Sequence, residues 1–415
     1  MNQIFEYLVG IDWASDSYEV CVVDGGGNVL GKERFEHSGN GIRQCIDWLL
    51  QLAGGDSSAV AAAIEVPHGA MVEGLIENQL AVFAINPKQM DRFRDRYTVA
   101  GAKDDSLDAF VMADSLRTDQ RCFHRVELNE PSILRLRELS RMQQDLQTEC
   151  NRVANQLWEQ LRRYYPQMLN LTSAANEVWI WDLLEAAPLP GGASRLKLGT
   201  VKAILQARRI RRITAEKVLE QLRQPALRLA PGAAEAASEH ALLLLPRLRL
   251  LHQQEGDTAK RVRQLLEEWK AAPEGEGREH RDVEILLSLP GIGPVIAATM
   301  LAEAWQPLRE RDYQALRNYA GASPVTRRSG KRKVVVMRYA CNERLRNALY
   351  HWSRTSMQKD ARAKQHYGEL RRSGHSHGRA LRGLADRNLA MLISMLKSNQ
   401  LYNPARRVAV LAQAG

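Results

Sequence analysis

The sequence has few cysteines and no long apolar run. Its five cysteines, among 415 residues, lie far apart without a CxxC pair, which argues against a zinc knuckle and against a disulfide framework. The longest apolar run, ALLLLP at 241–246, is far too short to cross a bilayer. No basic-plus-apolar signal pattern occurs near residue 1. We therefore expect a cytoplasmic protein with no membrane partner, folded as two or three domains.

Basic residues are scarce near the start of the chain, and acidic residues are scarce near its end. Residues 1–120 hold 9 Lys and Arg against 19 Asp and Glu, whereas residues 325–407 hold 20 against 4. A basic block of that size favours polyanion binding because it releases counterions from phosphate groups. A solvated basic face is the alternative. The acidic end needs a separate reason, and metal-binding carboxylates are one.

Residues 1–125 predict an α/β domain. Alternating apolar residues favour strands at 5–13, 17–24 and 28–36, with GGGN as the turn between the second and third. A helix at 41–55 is then followed by a strand at 59–67, a helix near 69–79 and a fifth strand in AVFAINP. The order βββαβαβα is typical of the ribonuclease H-like layout, in which strand 1 lies centrally.

Four carboxylates of this domain are expected to converge. Asp12 stands at the end of strand 1, and Glu65 stands near the end of the neighbouring strand 4. In the helix KDDSLDAFVMADSLRT, Asp108 shares a face with Asp105 and also with Asp104, so spacing leaves that choice open. Carboxylates packed together raise one another's pKa unless cations neutralise them. Oxygen ligands suit Mg²⁺, and two ions about 4 Å apart would act on a phosphodiester.

Residues 126–280 predict a helical arm. Apolar residues three and four apart from Ile133 to Tyr165 indicate a long amphipathic or coiled-coil helix, and a second long helix is expected from about 247 to 271. The two would form an antiparallel hairpin or a dimer arm. The insertion between them, near 170–240, contains the run ARRIRRIT, which is either a nucleic-acid contact or a solvated helix face.

Residues 281–415 predict a mostly helical domain that opens with a helix-hairpin-helix. The segment ILLSLPGIGPVIAATMLAEA places a Pro-Gly-Ile-Gly turn between two apolar helices. Gly291 and Gly293 would let backbone amides approach a DNA phosphate at the positive end of the second helix. A glycine-rich turn that serves only packing is the alternative.

Ser329 lies in a basic segment, RRSGKRK, which we expect to form a turn between a helix and the strand KVVVM. A serine held there could attack phosphorus and form a phosphoserine link. A serine in a turn is commonly structural, and Ser323 in GASP is a competing candidate. Five cations around Ser329 could anchor the scissile phosphate: Arg327, Arg328, Lys331, Arg332 and Lys333.

These segments together resemble a known family. GIDWA, the strand-end Glu65, KDDSLDA, LPGIGPVIAATMLAE and YAGASPVTRRSGK are similar, in that order, to the landmarks of the DEDD transposases of the insertion sequence one-ten family, whose relatives include the Piv-type DNA invertases. The likeness covers nearly all of the chain. It implies a RuvC-like domain with an acidic tetrad at Asp12, Glu65, Asp105 and Asp108. It also implies that Ser329, not Ser323, is the catalytic serine.

The resemblance further implies an activity and its partners. Family members cut and rejoin donor and target DNA through the serine while the Mg²⁺-bound tetrad assists, with the two domains drawn from different subunits of a tetramer. We expect this chain to form a homodimer or homotetramer. Some are guided by a structured non-coding RNA of the bridge type. We therefore expect a transposase in a bacterial or archaeal cytoplasm, associated with the nucleoid. The alternatives are a site-specific invertase, a Holliday-junction nuclease with a structural serine, and a DNA-binding protein that does not cut.

Overall fold

The chain forms two compact units, Met1–Glu130 and Pro131–Gly415. The computed structural model describes residues 5–13, 16–67, 69–97, 104–126, 131–174, 176–227, 229–271, 279–329 and 332–404. Within these ranges every helix is too short or too polar to cross a membrane. The predicted boundary near residue 280 stays a prediction, and the predicted linker APEGEGRE lies mostly outside the described residues.

The first unit is built on a six-stranded sheet of order β3-β2-β1-β4-β5-β6. β1 is central and pairs antiparallel with β2 and parallel with β4, as predicted. The sixth strand was not predicted, because it is only three residues long and largely exposed. The strands are β1 (Tyr7–Trp13), β2 (Ser17–Asp24), β3 (Val29–Glu36), β4 (Val60–Ile64), β5 (Ala81–Ala84) and β6 (His124–Val126).

Helices cover both faces of this sheet. Successive side chains of β1 point to opposite faces, so Val9 and Ile11 pack in the core that includes α1 and α2, whereas Leu8 packs in the core that includes α4. The polar segment PKQMDRFR forms a helix that the sequence did not predict. The helices are α1 (Gly39–Leu52), α2 (Ala70–Glu77), α3 (Pro87–Arg94) and α4 (Asp105–Asp119).

The second unit contains two long antiparallel helices, α5 (Pro131–Tyr164) and α10 (Ala233–Ala271). Gln143 of α5 donates to Glu255 of α10 at 3.4 Å, and Arg247 of α10 pairs with Glu149 of α5 at 2.5 Å, which fixes the antiparallel direction. α10 begins well before the predicted residue 247 and runs through Pro246. A proline inside a helix costs about 3 kcal/mol, and packing of buried residues on both sides of it offsets that cost.

The insertion forms its own core against these helices. Trp179, Trp181, Tyr164 and Tyr165 are almost fully buried there, so these aromatic side chains serve packing and cannot stack on bases. The short helices between α5 and α10 are α6 (Pro166–Leu169), α7 (Val178–Ala186), α8 (Leu198–Ala207) and α9 (Ala215–Leu222).

A second core joins the start of α5 and the end of α10 to the C-terminal helices. The two-stranded sheet β7-β8 belongs to this part of the chain. Its elements are α11 (Glu279–Ser288), α12 (Pro294–Glu303), α13 (Trp305–Arg309), α14 (Tyr313–Tyr319), β7 (Val325–Ser329), β8 (Arg332–Val336), α15 (Glu343–Lys359), α16 (Ala361–Arg372) and α17 (His377–Ser398).

Candidate active-site residues

Gly10 determines how closely α4 lies against β1. A Cβ added at Gly10 would stand 1.9 Å from the carbonyl oxygen of Ala109 and 2.7 Å from the amide nitrogen of Ala113. The two backbones therefore touch with no side chain between them. Asp12 is two residues further along β1 on the same face, so this contact carries it to the first turns of α4. The sequence analysis did not identify Gly10, because a glycine inside a strand does not reveal what approaches it.

The start of α4 distinguishes the three neighbouring aspartates. Asp104 is the N-cap, and its carboxylate accepts a hydrogen bond from the Ser106 amide at 3.2 Å. Asp105 is the first helical residue and is partly exposed, whereas Asp108 is buried. Capping gives Asp104 a local structural role, which leaves Asp105 and Asp108 as the pair that faces the sheet end.

The pKa of Asp12 reports on the charges around it. Burial raises the pKa of this carboxyl from 3.8 to about 6, together with the negative charges of Asp108, Asp105 and Glu65, while a backbone hydrogen bond from Trp13 lowers it. Glu65 directly follows β4, the parallel neighbour of β1. The structure thus places Glu65, Asp105 and Asp108 within electrostatic range of Asp12.

Asp108 is held by an arginine that the sequence analysis did not consider. Arg94, the last residue of α3, donates from Nε at 2.5 Å and from Nη2 at 2.8 Å to the two carboxylate oxygens of Asp108. The Asp108 side chain is only 3% exposed. This hydrogen bond raises the pKa of the Arg94 guanidinium. Arg94 also pairs with Asp91 at 3.1 Å through Nη1.

The donor chemistry of the four carboxylates fits Mg²⁺, which prefers one or two carboxylate oxygens and retains waters or phosphate oxygens. Yet in the part of the chain that the structure describes, no three His, Cys, Asp or Glu side chains stand together in positions that would hold a metal ion. The oxygens are of the right kind, but Asp108 is directed to Arg94.

Ser329 is the last residue of β7 and is exposed, as are Arg327 and Arg328. β7 pairs antiparallel with β8, and Ser329 lies opposite Arg332. The expectation of a turn in RRSGKRK was therefore wrong for residues 327–329, which form the end of strand β7. Their side chains are exposed on both faces, so they lack the alternation that indicates strands. Lys331, the remaining predicted DNA contact, lies outside the described residues.

Ser323 differs from Ser329 in its surroundings. It is only 7% exposed, and its carbonyl oxygen accepts a hydrogen bond from Arg338 Nε at 3.3 Å. A buried serine that ties the base of the β7-β8 hairpin is poorly placed to meet a DNA phosphate. Of the two serines, Ser329 is the one whose side chain is exposed.

The Pro-Gly-Ile-Gly turn lies against α15. Gly291 has φ +90°, and a Cβ there would stand 2.6 Å from the Ser356 amide nitrogen. Its carbonyl oxygen accepts a hydrogen bond from Thr355 Oγ1 at 2.8 Å. Gly293 is the N-cap of α12 and has open space around its Cβ position. The packing alternative thus explains Gly291, whereas it gives no reason for Gly293.

Two further polar segments are engaged within the protein. In the run ARRIRRIT, Arg208 pairs with Asp182 at 2.7 Å and Arg212 pairs with Glu177. In the segment HSH at residues 375–377, His377 Nδ1 lies 2.7 Å from the hydroxyl of Tyr367.

Comparison with known proteins identifies the family. Residues 9–166 match the DEDD-type transposase family named for IS110, and residues 283–368 match the transposase family IS116/IS110/IS902. The mini-circle putative transposase for IS117 of Streptomyces coelicolor is 35% identical over 419 residues, which cover 98% of this chain and 97% of that relative. The chain belongs to the IS110-type family of insertion-sequence transposases.

Other relatives are similar over different spans. The putative transposase y4uE of Sinorhizobium fredii is 46% identical over 227 residues, which cover 54% of this chain and 61% of that relative. The insertion element IS116 uncharacterized 44.8 kDa protein of Streptomyces clavuligerus is 26% identical over 97% of this chain and 98% of its own length. The predicted family is confirmed, and a transposase of this family acts on DNA.

Proposed function

We propose that this transposase cuts and rejoins DNA through Ser329, assisted by Mg²⁺ at Asp12, Glu65, Asp105 and Asp108. The observation that carries the proposal is the close contact of Gly10 with Ala109, which brings Asp12 to the start of α4, where Asp105 and Asp108 lie, while Glu65 follows the neighbouring strand β4. The raised pKa of Asp12 supports it. Arg94 offsets the charge of Asp108, but the remaining negative charge around Asp12 favours a cationic ligand, and DEDD domains are typically metal-dependent. A bound Mg²⁺ would supply positive charge for the phosphorane and help to ionise the serine hydroxyl.

In the proposed reaction, the Ser329 hydroxyl attacks a DNA phosphorus atom. A bond forms between Oγ and phosphorus as the bond from phosphorus to one deoxyribose oxygen breaks, and the proton lost by the serine hydroxyl is transferred to that departing oxygen, which leaves as a free hydroxyl. Arg327 lies two residues away on the same side of β7 and would stabilise the negative phosphorane. The link conserves the energy of the phosphodiester, so a second strand can reseal without ATP.

We further propose binding surfaces for the nucleic acids. The exposed residues Arg327 and Arg328, with Lys331, would contact the DNA backbone, and Gly293 at the start of α12 would offer backbone amides to a phosphate. We propose in addition that the two helices around this turn form a helix-hairpin-helix and that α5 and α10 form a coiled-coil arm. The protein would act as a homodimer or tetramer with a guide RNA.

The test is a covalent-adduct assay. Purified protein is mixed with end-labelled DNA from the ends of its element and Mg²⁺, with its co-purifying RNA retained, and adducts are resolved on denaturing gels. Ser329→Ala should lose the adduct, Ser323→Ala should keep it, and Asp12→Asn should lose it. Continued cleavage by Ser329→Ala would instead indicate a nuclease with a structural serine. Sequencing the co-purifying RNA tests guidance, since a discrete species mapping beside the gene is expected.

A further inference from the structure

The ion pair between Arg94 and Asp108 occupies a residue that the proposed metal site needs. Both carboxylate oxygens of Asp108 accept hydrogen bonds from Arg94, at 2.5 Å and 2.8 Å. A carboxylate that is engaged by a guanidinium in this two-pronged way has few lone pairs left for another cation. Among the described residues, no three His, Cys, Asp or Glu side chains are grouped so as to hold a metal ion, and Asp108 is turned to Arg94.

We propose that Arg94 is an internal counter-cation that competes with the divalent ion for Asp108, so that metal binding requires Arg94 to release this carboxylate. The inference rests on the proposed function, since it concerns the same acidic residues. It makes Arg94 a positioning residue, because Arg94 acts through Asp108 and not on the DNA.

The surroundings of Arg94 supply a second partner for its charge. Asp91, one turn earlier on α3, is 68% exposed and accepts from Nη1 of Arg94 at 3.1 Å, in addition to the bonds that reach Asp108. When a metal takes Asp108, the guanidinium therefore keeps one carboxylate. The rest of α3 is anchored, because Met90 is buried and the Phe93 ring stacks on Phe123. A side-chain rearrangement is thus enough for the exchange.

The experiment measures divalent-ion binding to the full chain, without DNA. Isothermal titration with MgCl₂ and the paramagnetic resonance signal of Mn²⁺ both report binding directly. The wild type should bind the ion, and Asp12→Asn, which lacks a proposed ligand, should not. Arg94→Gln should bind Mg²⁺ roughly tenfold or more tightly than the wild type, since hydrogen bonds to charged groups are of that strength. Asp91→Asn should bind it severalfold more weakly, because Arg94 then has only Asp108.

Arg96→Gln is the matched control. Arg96 lies one half-turn beyond Arg94 and pairs with Asp119 at 3.2 Å, so its loss removes the same charge nearby without touching Asp108. It should shift Mg²⁺ affinity by less than about threefold, as expected for a screened surface charge. If Arg96→Gln and Arg94→Gln gained Mg²⁺ affinity equally, the gain would come from the loss of any nearby positive charge, and the inference would be overturned.

Thermal unfolding separates competition from a merely structural role. Arg94→Gln leaves a buried carboxylate without its cation, so its melting temperature in EDTA should fall below that of the wild type, and saturating Mg²⁺ should close most of that gap. Weaker or unchanged Mg²⁺ binding by Arg94→Gln overturns the inference. If Arg94→Gln does not fold, the Mg²⁺ affinity of Asp91→Asn tests the inference instead. An affinity equal to that of the wild type would overturn the inference. If the wild type and every variant bind no ion, the proposed metal site fails as well.

Discussion

Gly10 and Ala109 are in direct backbone contact, since a Cβ at Gly10 would lie 1.9 Å from the Ala109 carbonyl oxygen. Gly10→Ala should therefore displace α4 from β1 and destabilise the first unit by about 3 kcal/mol, near the upper end for overpacking. Because Asp12 and Asp108 lie on these two elements, Mg²⁺ affinity should fall with stability. Urea unfolding and metal titration measure the two effects.

Gly25→Ala is the control for that prediction. Gly25 follows β2, and nothing lies within 4 Å of its Cβ position. The same added methyl group should change the free energy of unfolding by less than about 1 kcal/mol there. Equal stability of the two variants would mean that α4 accommodates the methyl group easily and that the contact does not position Asp12.

Asp12 should make the metal-free protein less stable as the pH rises. Its pKa is raised from 3.8 to about 6 in the folded protein, so between these values the folded state binds a proton that the unfolded state has lost. The protonated carboxyl contributes its full stability below about pH 4, and that contribution is lost by about pH 6 to 7.

The comparison of wild type with Asp12→Asn isolates this effect. The asparagine imitates the protonated carboxyl at every pH, so in EDTA the variant should be more stable than the wild type above about pH 6 and nearly equal to it near pH 4. Urea unfolding across this range measures the difference. Parallel stability curves would contradict the raised pKa.

Glu303 connects three elements of the second unit. It is 7% exposed and accepts hydrogen bonds from Arg141 of α5 at 2.7 Å and 3.1 Å and from Asn342, the N-cap of α15, at 2.8 Å. Burial alone would raise the pKa of this carboxyl, but the bonds from Arg141 and Asn342 outweigh it and hold the pKa below 4.5. Glu303→Gln should cost about 3 kcal/mol at pH 7, because it leaves a partly buried arginine without its anion.

An exposed ion pair and the pH supply the controls for Glu303. Glu343, whose side chain is 76% exposed, pairs with Arg346 at 3.0 Å, and Glu343→Gln should cost less than about 1 kcal/mol. Since the folded pKa of Glu303 is lowered, its contribution is present above the unfolded pKa and is lost as the pH falls through the folded pKa. A Glu303→Gln deficit that grew in acid would contradict the ion pair.

Local sequence patterns predicted those helices and strands whose formation depends on residues that are close in the chain. The first five strands, α1 and the start of α4 follow from alternation, glycine turns and helical stripes. β7 did not, because Thr326 and Arg328 are as exposed as Arg327 and Ser329 on the other face, so no buried side marks the strand. β6 and α3 are too short or too polar to show periodicity.

The candidate site divides in the same way. Strand ends and helical spacing predicted that Asp12, Glu65 and Asp108 lie close together. Spacing left the choice between Asp104 and Asp105 open, and the N-cap formed by Asp104 supplies a structural reason to choose Asp105. The bond from Arg94 to Asp108 joins α3, which was not predicted, to α4. No sequence period links two residues on separate helices, so only the folded structure reveals that pair.

The two glycines of the Pro-Gly-Ile-Gly turn should behave differently when replaced by alanine. Gly291 has φ +90° and no room for a Cβ beside the Ser356 amide, so Gly291→Ala should cost about 2 to 4 kcal/mol of stability. Gly293 has open space and no positive φ, so Gly293→Ala should cost less than about 1 kcal/mol. Thermal unfolding measures both.

DNA binding then separates packing from phosphate contact at this turn. If the amides at the start of α12 meet a phosphate, the Gly293→Ala methyl group hinders that approach, and affinity for duplex DNA in a fluorescence-anisotropy titration should fall severalfold while stability holds. Ser329→Ala, which adds no bulk and removes no charge, serves as the binding control and should retain full affinity. Undiminished DNA affinity in Gly293→Ala would remove this turn from the DNA interface and leave it a packing element, because Gly291 is already accounted for by its contact with α15.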